Sequence, residues 1–93
     1  MPSFRLAHVK ENGIDVIIIP MDHTFHNKPE QEKDQITGEL QLRAEGAGLP
    51  GTVVLVWEHS GKMYFIAPDN WHPFIKTLQY RNVLTSLNKT LSW

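Results

Sequence analysis

The chain contains no cysteine, no marked excess of either charge and no long hydrophobic run. The absence of cysteine excludes disulfide bonds, thiol catalysis and zinc sites built on thiolates. Nine basic and ten acidic side chains leave a formal net charge of −1, so no positive field is available to hold a nucleic-acid backbone. The apolar runs are far shorter than the ~20 residues that cross a bilayer, and no signal-peptide pattern opens the chain. We therefore expect a cytoplasmic protein that binds neither nucleic acid nor membrane.

The amino-acid composition is that of an ordinary globular protein. The 93 residues are 41% hydrophobic and 10% aromatic, which is typical of one small folded domain, residues 1–93. The most apolar stretch is 14–21, where three consecutive isoleucines favour a strand because branched side chains suit a pleated surface. The stretch 52–58 has the same character. Both are apolar on two faces, which is typical of central strands that are buried on both sides.

Two turn signals predict hairpins. Asn12-Gly13 predicts a type I′ turn between strands 4–10 and 14–21, and Ser60-Gly61 joins 52–58 to a fourth strand, 62–68. The first turn sets the register, with Lys10 opposite Asp15. The second sets Trp57 opposite Tyr64.

Helices are predicted between and after these hairpins. Pro29 suits a first helical turn, and Gly48 followed by Leu49 and Pro50-Gly51 predicts the end of that helix. Its apolar stripe is expected at Ile36, Leu40, Ala44 and Ala47. A short helix is expected from Trp71 to Leu78, and a last helix from Val83 to Leu91 that runs almost to Trp93.

The element order is therefore β-β-α-β-β-α(α), an α+β fold. Strands two and three should lie parallel at the centre, joined by a right-handed crossover through the long helix. A four-stranded mixed sheet of order 1-2-3-4 follows, with each hairpin partner at an outer edge. The sandwich has two layers, or three if the C-terminal helices cover the second face. Otherwise a second copy of the protein must cover it.

Polar residues gather where the two central strands end. The carboxyl ends of parallel strands are where ligands commonly bind, and here they carry Asp22, His23, His26, Glu58 and His59. Imidazole and carboxylate groups can hold a divalent metal or move protons. A loop with the spacing His-x-x-His lacks the geometry of two histidines one helical turn apart, so the plainer interpretation is a solvated rim.

Trp71 and Phe74, in the string Trp-His-Pro-Phe, are candidate interface residues because aromatic side chains anchor protein contacts. The alternative is that both form the core face of a short helix. By strand direction they should lie at the opposite end of the sheet from His23 and Glu58.

No catalytic constellation has a meaningful spacing, and no cofactor is indicated. We expect a non-enzymatic protein-interaction or regulatory module that self-associates as a homodimer, since exposed aromatic surface on a small domain tends to become an interface. The alternative is a metal- or ligand-binding protein, or a small enzyme, that uses the polar rim.

Overall fold

Residues 3–92 are described by a computed structural model, and they form one mixed sheet with helices on both faces. The strands are β1 (Ser3–Glu11), β2 (Ile14–Pro20), β3 (Thr52–His59), β4 (Lys62–Ile66) and β5 (Lys89–Ser92). The helices are α1 (Glu30–Gly46), α2 (His72–Lys76) and α3 (Tyr80–Thr85), with 3-10 turns at His23–Asn27 and Asp69–Trp71. The spatial order is β4-β3-β2-β1-β5.

The centre of the sheet is as predicted. β2 and β3 are parallel neighbours, with Ile17 opposite Val53 and Ile18 opposite Val54. The residues 16–19 and 53–56 are all buried, because each strand has an apolar layer on both of its faces. The α1 crossover joins the two strands, so the chain order β2-α1-β3 places their carboxyl ends at one edge of the sheet.

Both hairpin registers are confirmed. Lys10 lies opposite Asp15 in the first and Trp57 opposite Tyr64 in the second. Ser60 and Gly61 have φ values of 53° and 78°, the two positive values that a type I′ turn requires. The ladder between β1 and β2 ends at the pair Ala7 and Ile18, as expected near Pro20, which has no N–H to donate.

The two faces of the sheet are covered by different helices of the same chain. α1 covers the face that carries Ile17, Ile19, Leu55 and Trp57. α2 and α3 cover the other face, where Ile75 and Val83 pack on Ile18, Val54 and Val56. The C-terminal helices therefore close the second face, and no second subunit is needed there. On α1, Leu40 and Ala44 are buried as predicted, whereas Ala47 lies just beyond the helix and is exposed.

The prediction of four strands in the order 1-2-3-4 was wrong, because the sheet formed by residues 3–92 has five strands. The last predicted helix ends at Thr85, and the segment 89–92 pairs with β1 instead. Val83 belongs to the core on the α2–α3 face and Leu91 to the core on the α1 face. One straight helix cannot bury these residues on opposite sides of a sheet, whereas a short helix followed by a strand at the edge can. Trp93 lies outside the described residues.

Asn88 makes the change from helix to strand possible. Its side-chain Oδ1 accepts a hydrogen bond from the His8 N–H (2.9 Å), and its Nδ2 donates to the His8 carbonyl (3.0 Å). The amide group thus imitates the backbone of a pairing strand at the point where β5 begins. Because β5 pairs with β1, β1 is an interior strand rather than the predicted edge, and β4 and β5 are the outer strands of the sheet within residues 3–92.

Candidate functional site

The polar rim lies at the carboxyl ends of β2 and β3, as the strand directions predicted. Asp22 caps the 3-10 turn that follows β2, where its carboxylate accepts a hydrogen bond from the Thr24 N–H (3.0 Å). This bond lowers the pKa of Asp22 below its ordinary value. The turn folds back over the sheet because Phe25 is buried between α1 and Trp57. His26, one residue later, is thereby held against β3.

His26 and His59 are in contact at this rim. Their rings are stacked with centroids 3.9 Å apart and planes 8° apart. Trp57 Nε1–H donates to His26 Nδ1 at 3.2 Å, so the neutral ring carries its proton on Nε2. The Tyr64 ring lies 4.7 Å from the His26 ring. Three rings from β3 and β4 therefore enclose one imidazole from the loop.

The charge around His26 favours its neutral form. Burial lowers the pKa of His26, and the positive charges of His59 and Lys33 lower it further. Lys33 lies on α1 with its Nζ 5.2 Å from the centre of the Trp57 ring, and the residue is only 7% exposed. This contact is a cation–π interaction that the sequence did not indicate. Burial of His26 and the neighbouring charges of His59 and Lys33 therefore disfavour the protonated form of His26.

The other three rim candidates lie apart from this pair. Glu58 points to the opposite face of β3 from Trp57 and His59, because side chains alternate along a strand. Asp22 pairs with His23 at 3.0 Å, and both side chains are largely exposed. On that side, burial and the negative charges of Glu58 and Asp22 raise the pKa of Tyr80, whose hydroxyl donates to the Met21 carbonyl (3.2 Å).

The rim does not form a complete metal centre in this arrangement. Within residues 3–92, no three histidine, aspartate or glutamate side chains are placed to hold one ion. The lone pairs of stacked imidazoles lie in two parallel planes, so the nitrogens of His26 and His59 do not converge on one point. A metal would need one ring to leave the stack and a third ligand to approach.

The candidate interface residues lie at the other end of the sheet, as expected. Trp71 is 5% exposed and belongs to the core between the sheet and α2. Phe74 is half-buried and packs edge-on against Trp71 with the ring centroids 5.9 Å apart. A shallow groove beside them is also lined by Ile14 and Pro73. Trp71 therefore has a structural role, and only part of Phe74 is accessible.

The outer side of β4 is a second candidate surface. β4 pairs with β3 and has no other neighbouring strand among the described residues. Its residues 63–66, Met-Tyr-Phe-Ile, are all half-buried, so part of each apolar side chain meets solvent. An edge of this kind is a template for pairing with another chain. Sequence reasoning placed this strand at an edge but did not single out its residues.

Comparisons of the chain with protein families, with characterised proteins and with solved structures find no match. No helix within the described part of the chain is long and apolar enough to span a membrane. Function must therefore be inferred from the surfaces themselves.

Proposed function

We propose that this protein is a non-enzymatic interaction module that self-associates, with a second copy of the chain as its partner. The observation that carries the proposal is the free outer side of β4, whose residues 63–66 are all apolar or aromatic. Both faces of the sheet are already covered by α1, α2 and α3. The sheet faces themselves are thus not available to a second copy, whereas the β4 edge is.

Exposed edges of this composition are uncommon because they invite pairing. Soluble proteins usually protect an edge strand with charged residues, proline, a bulge or a covering segment. On β4 only Lys62, at the start of the strand, is charged, and Pro68 follows two residues after its end. The five residues between them include no charged residue, proline or glycine. Pairing this strand with another hides apolar surface and satisfies backbone hydrogen-bonding groups.

The test is the mass of the protein in solution. Light scattering over a concentration series should show twice the chain mass of 10.7 kDa at micromolar concentration, falling toward the single-chain mass on dilution. A mass of one chain at every concentration would contradict the proposal. A mass that rises without limit would indicate open-ended aggregation rather than a defined assembly.

A second candidate function is binding of a divalent metal or small ligand at the rim, where His26 and His59 lie side by side and one ring would have to leave the stack to take part. Melting with zinc, nickel or manganese tests it, because a ligand that binds only the folded state must raise the melting temperature. The variant His26→Ala/His59→Ala is the matched control. If a metal binds at the rim, it should raise the melting temperature of the parent but not that of this variant. Equal melting temperatures of the parent with and without metal would indicate that the rim is a solvated edge.

A further inference from the structure

We infer that two copies of the chain pair antiparallel through β4, with Tyr64 of each copy opposite Tyr64 of the other, so that the two sheets become one. This inference rests on the proposed self-association and specifies its surface and register. Its basis is that β4 pairs with β3 on one side and leaves backbone groups unpaired on the other.

The hairpin turn determines which groups those are. In a two-residue hairpin the closing pair, here His59 and Lys62, exchanges backbone hydrogen bonds, and bonded pairs alternate from that point. Lys62, Tyr64 and Ile66 therefore direct their N–H and C=O groups toward β3. Met63 and Phe65 direct theirs outward, where a second strand can reach them.

Only one antiparallel register uses both outward residues fully. Shifting the partner toward the C-terminal end would require Ala67, which lies beyond the end of β4 and whose carbonyl already accepts from His72 Nε2 at 2.9 Å. Shifting it the other way would require Gly61, which lies in the turn with a φ of 78°. Centring the pair on Tyr64 places Met63 opposite Phe65 of the second copy, and the reverse. About four hydrogen bonds then form across the two-fold axis.

The side chains and charges of β4 complement their own copy in this register. Tyr64 meets Tyr64 on the face of α1, and Met63 meets Phe65 on the other face, so each contact is apolar. Antiparallel pairing also carries the Lys62 end of each strand toward the end followed by Asp69, whose side chain is fully exposed. The charges near each end of the interface are therefore of opposite sign.

Disulfide trapping tests this register, and the absence of native cysteine makes each product unambiguous. Residues opposite each other in a non-hydrogen-bonded antiparallel pair have Cα atoms about 4.5 Å apart, within the range that a disulfide spans. Tyr64→Cys should therefore convert mostly to a covalent dimer under mild oxidation. Phe65→Cys on the same strand and Thr90→Cys on β5 are the matched controls and should remain mostly uncrosslinked.

The variant Phe65→Pro provides a second, independent test of pairing through β4. Proline removes the outward N–H of Phe65 but no hydrogen bond to β3, and edge strands tolerate it at such positions. The loss occurs twice in a symmetric dimer, so dimerisation should weaken about tenfold or more. Circular dichroism and thermal melting of the reduced proteins show whether each variant is folded. If Tyr64→Cys is unfolded, Phe65→Pro alone tests the β4 pairing.

The outcomes separate this inference from the proposal beneath it. A parent protein that is dimeric by light scattering, with Thr90→Cys crosslinking as readily as Tyr64→Cys, would overturn the β4 pairing and leave self-association standing. Unchanged dimerisation in Phe65→Pro would overturn it as well. A parent that is monomeric at all concentrations would overturn both.

Discussion

The two edges of this sheet differ in composition, in length and in what attaches them to the fold. β4 has a run of four apolar residues and is joined to β3 by a two-residue turn. β5 is a four-residue strand, Lys-Thr-Leu-Ser, in which only Leu91 is buried. The side chains of the other three residues are exposed. β5 therefore has the features with which proteins protect an edge: small size, polar residues and a lysine.

These differences indicate which edge is available for association. Pairing a strand with β5 would bring polar, solvated side chains together and bury little apolar surface. Pairing a strand with β4 would hide part of each of four apolar side chains. Since apolar burial supplies most of the free energy of association, β4 is the edge on which the proposed function depends. β5 terminates the sheet on the other side.

β5 protects its side of the sheet only if it is firmly docked, and the largest expected effect tests this point. Leu91 is 2% exposed and packs with Leu6 and Ile17 in the core on the α1 face. Leu91→Ala should lower the free energy of unfolding by about 2–5 kcal/mol, measured by urea denaturation. Thr90→Ala, one residue earlier and exposed, should change it by less than about 0.5 kcal/mol. Equal effects would mean that β5 contributes little to the native fold.

A smaller effect is expected at the point where β5 begins. Asn88→Ala removes both side-chain hydrogen bonds to the backbone of His8. Because these bonds are exposed to solvent, the expected loss of stability is about 1 kcal/mol. The amide proton of His8 should also exchange faster with solvent. Asn82→Ala, on the exposed side of α3, is the control, and an equal loss there would show that Asn88 has no special role.

The two edges also differ in how well the sequence predicts them. β4 follows a local signal, because Ser60-Gly61 sets the turn and the alternation of residues then sets every pair with β3. β5 pairs with a strand more than eighty positions earlier, as in the pair of Arg5 with Thr90. Val83, Leu87 and Leu91 recur every four residues and imitate a helix. No local pattern distinguishes such a stripe from a short helix followed by a strand.

The candidate rim was predictable in its place but not in its internal geometry. Strand direction located Asp22, His26, Glu58 and His59 at one end of the sheet. Side chains alternate along β3, so Glu58 and His59 lie on opposite faces of the sheet, and this separation could have been predicted from the sequence. The stacking of His26 on His59 depends on the 3-10 turn and on burial of Phe25. Those are tertiary contacts that no short motif encodes.

The smallest expected effect is a dependence of stability on pH that arises beside β4. Burial, with the charges of His59 and Lys33, lowers the pKa of His26 in the folded protein below its ordinary value of 6.5. As pH falls below that value the unfolded chain binds a proton before the folded one does. The stabilisation is therefore complete above about pH 6.5 and is lost as pH falls through the lower, folded pKa.

This loss should be measurable as a contribution of His26 to the fall in melting temperature between pH 7.5 and pH 5. His26→Gln keeps a group that can accept the hydrogen bond from Trp57 Nε1 but cannot be protonated, so the fall should shrink in this variant. His23→Gln removes an exposed imidazole from the same turn and should leave the fall as it is in the parent. Amide exchange should place the acid-induced opening at Tyr64 on β4, which packs on His26, and not at Leu91 on β5. A fall that persists in full in His26→Gln, or that opens β5 first, would show that the acid response belongs to another group.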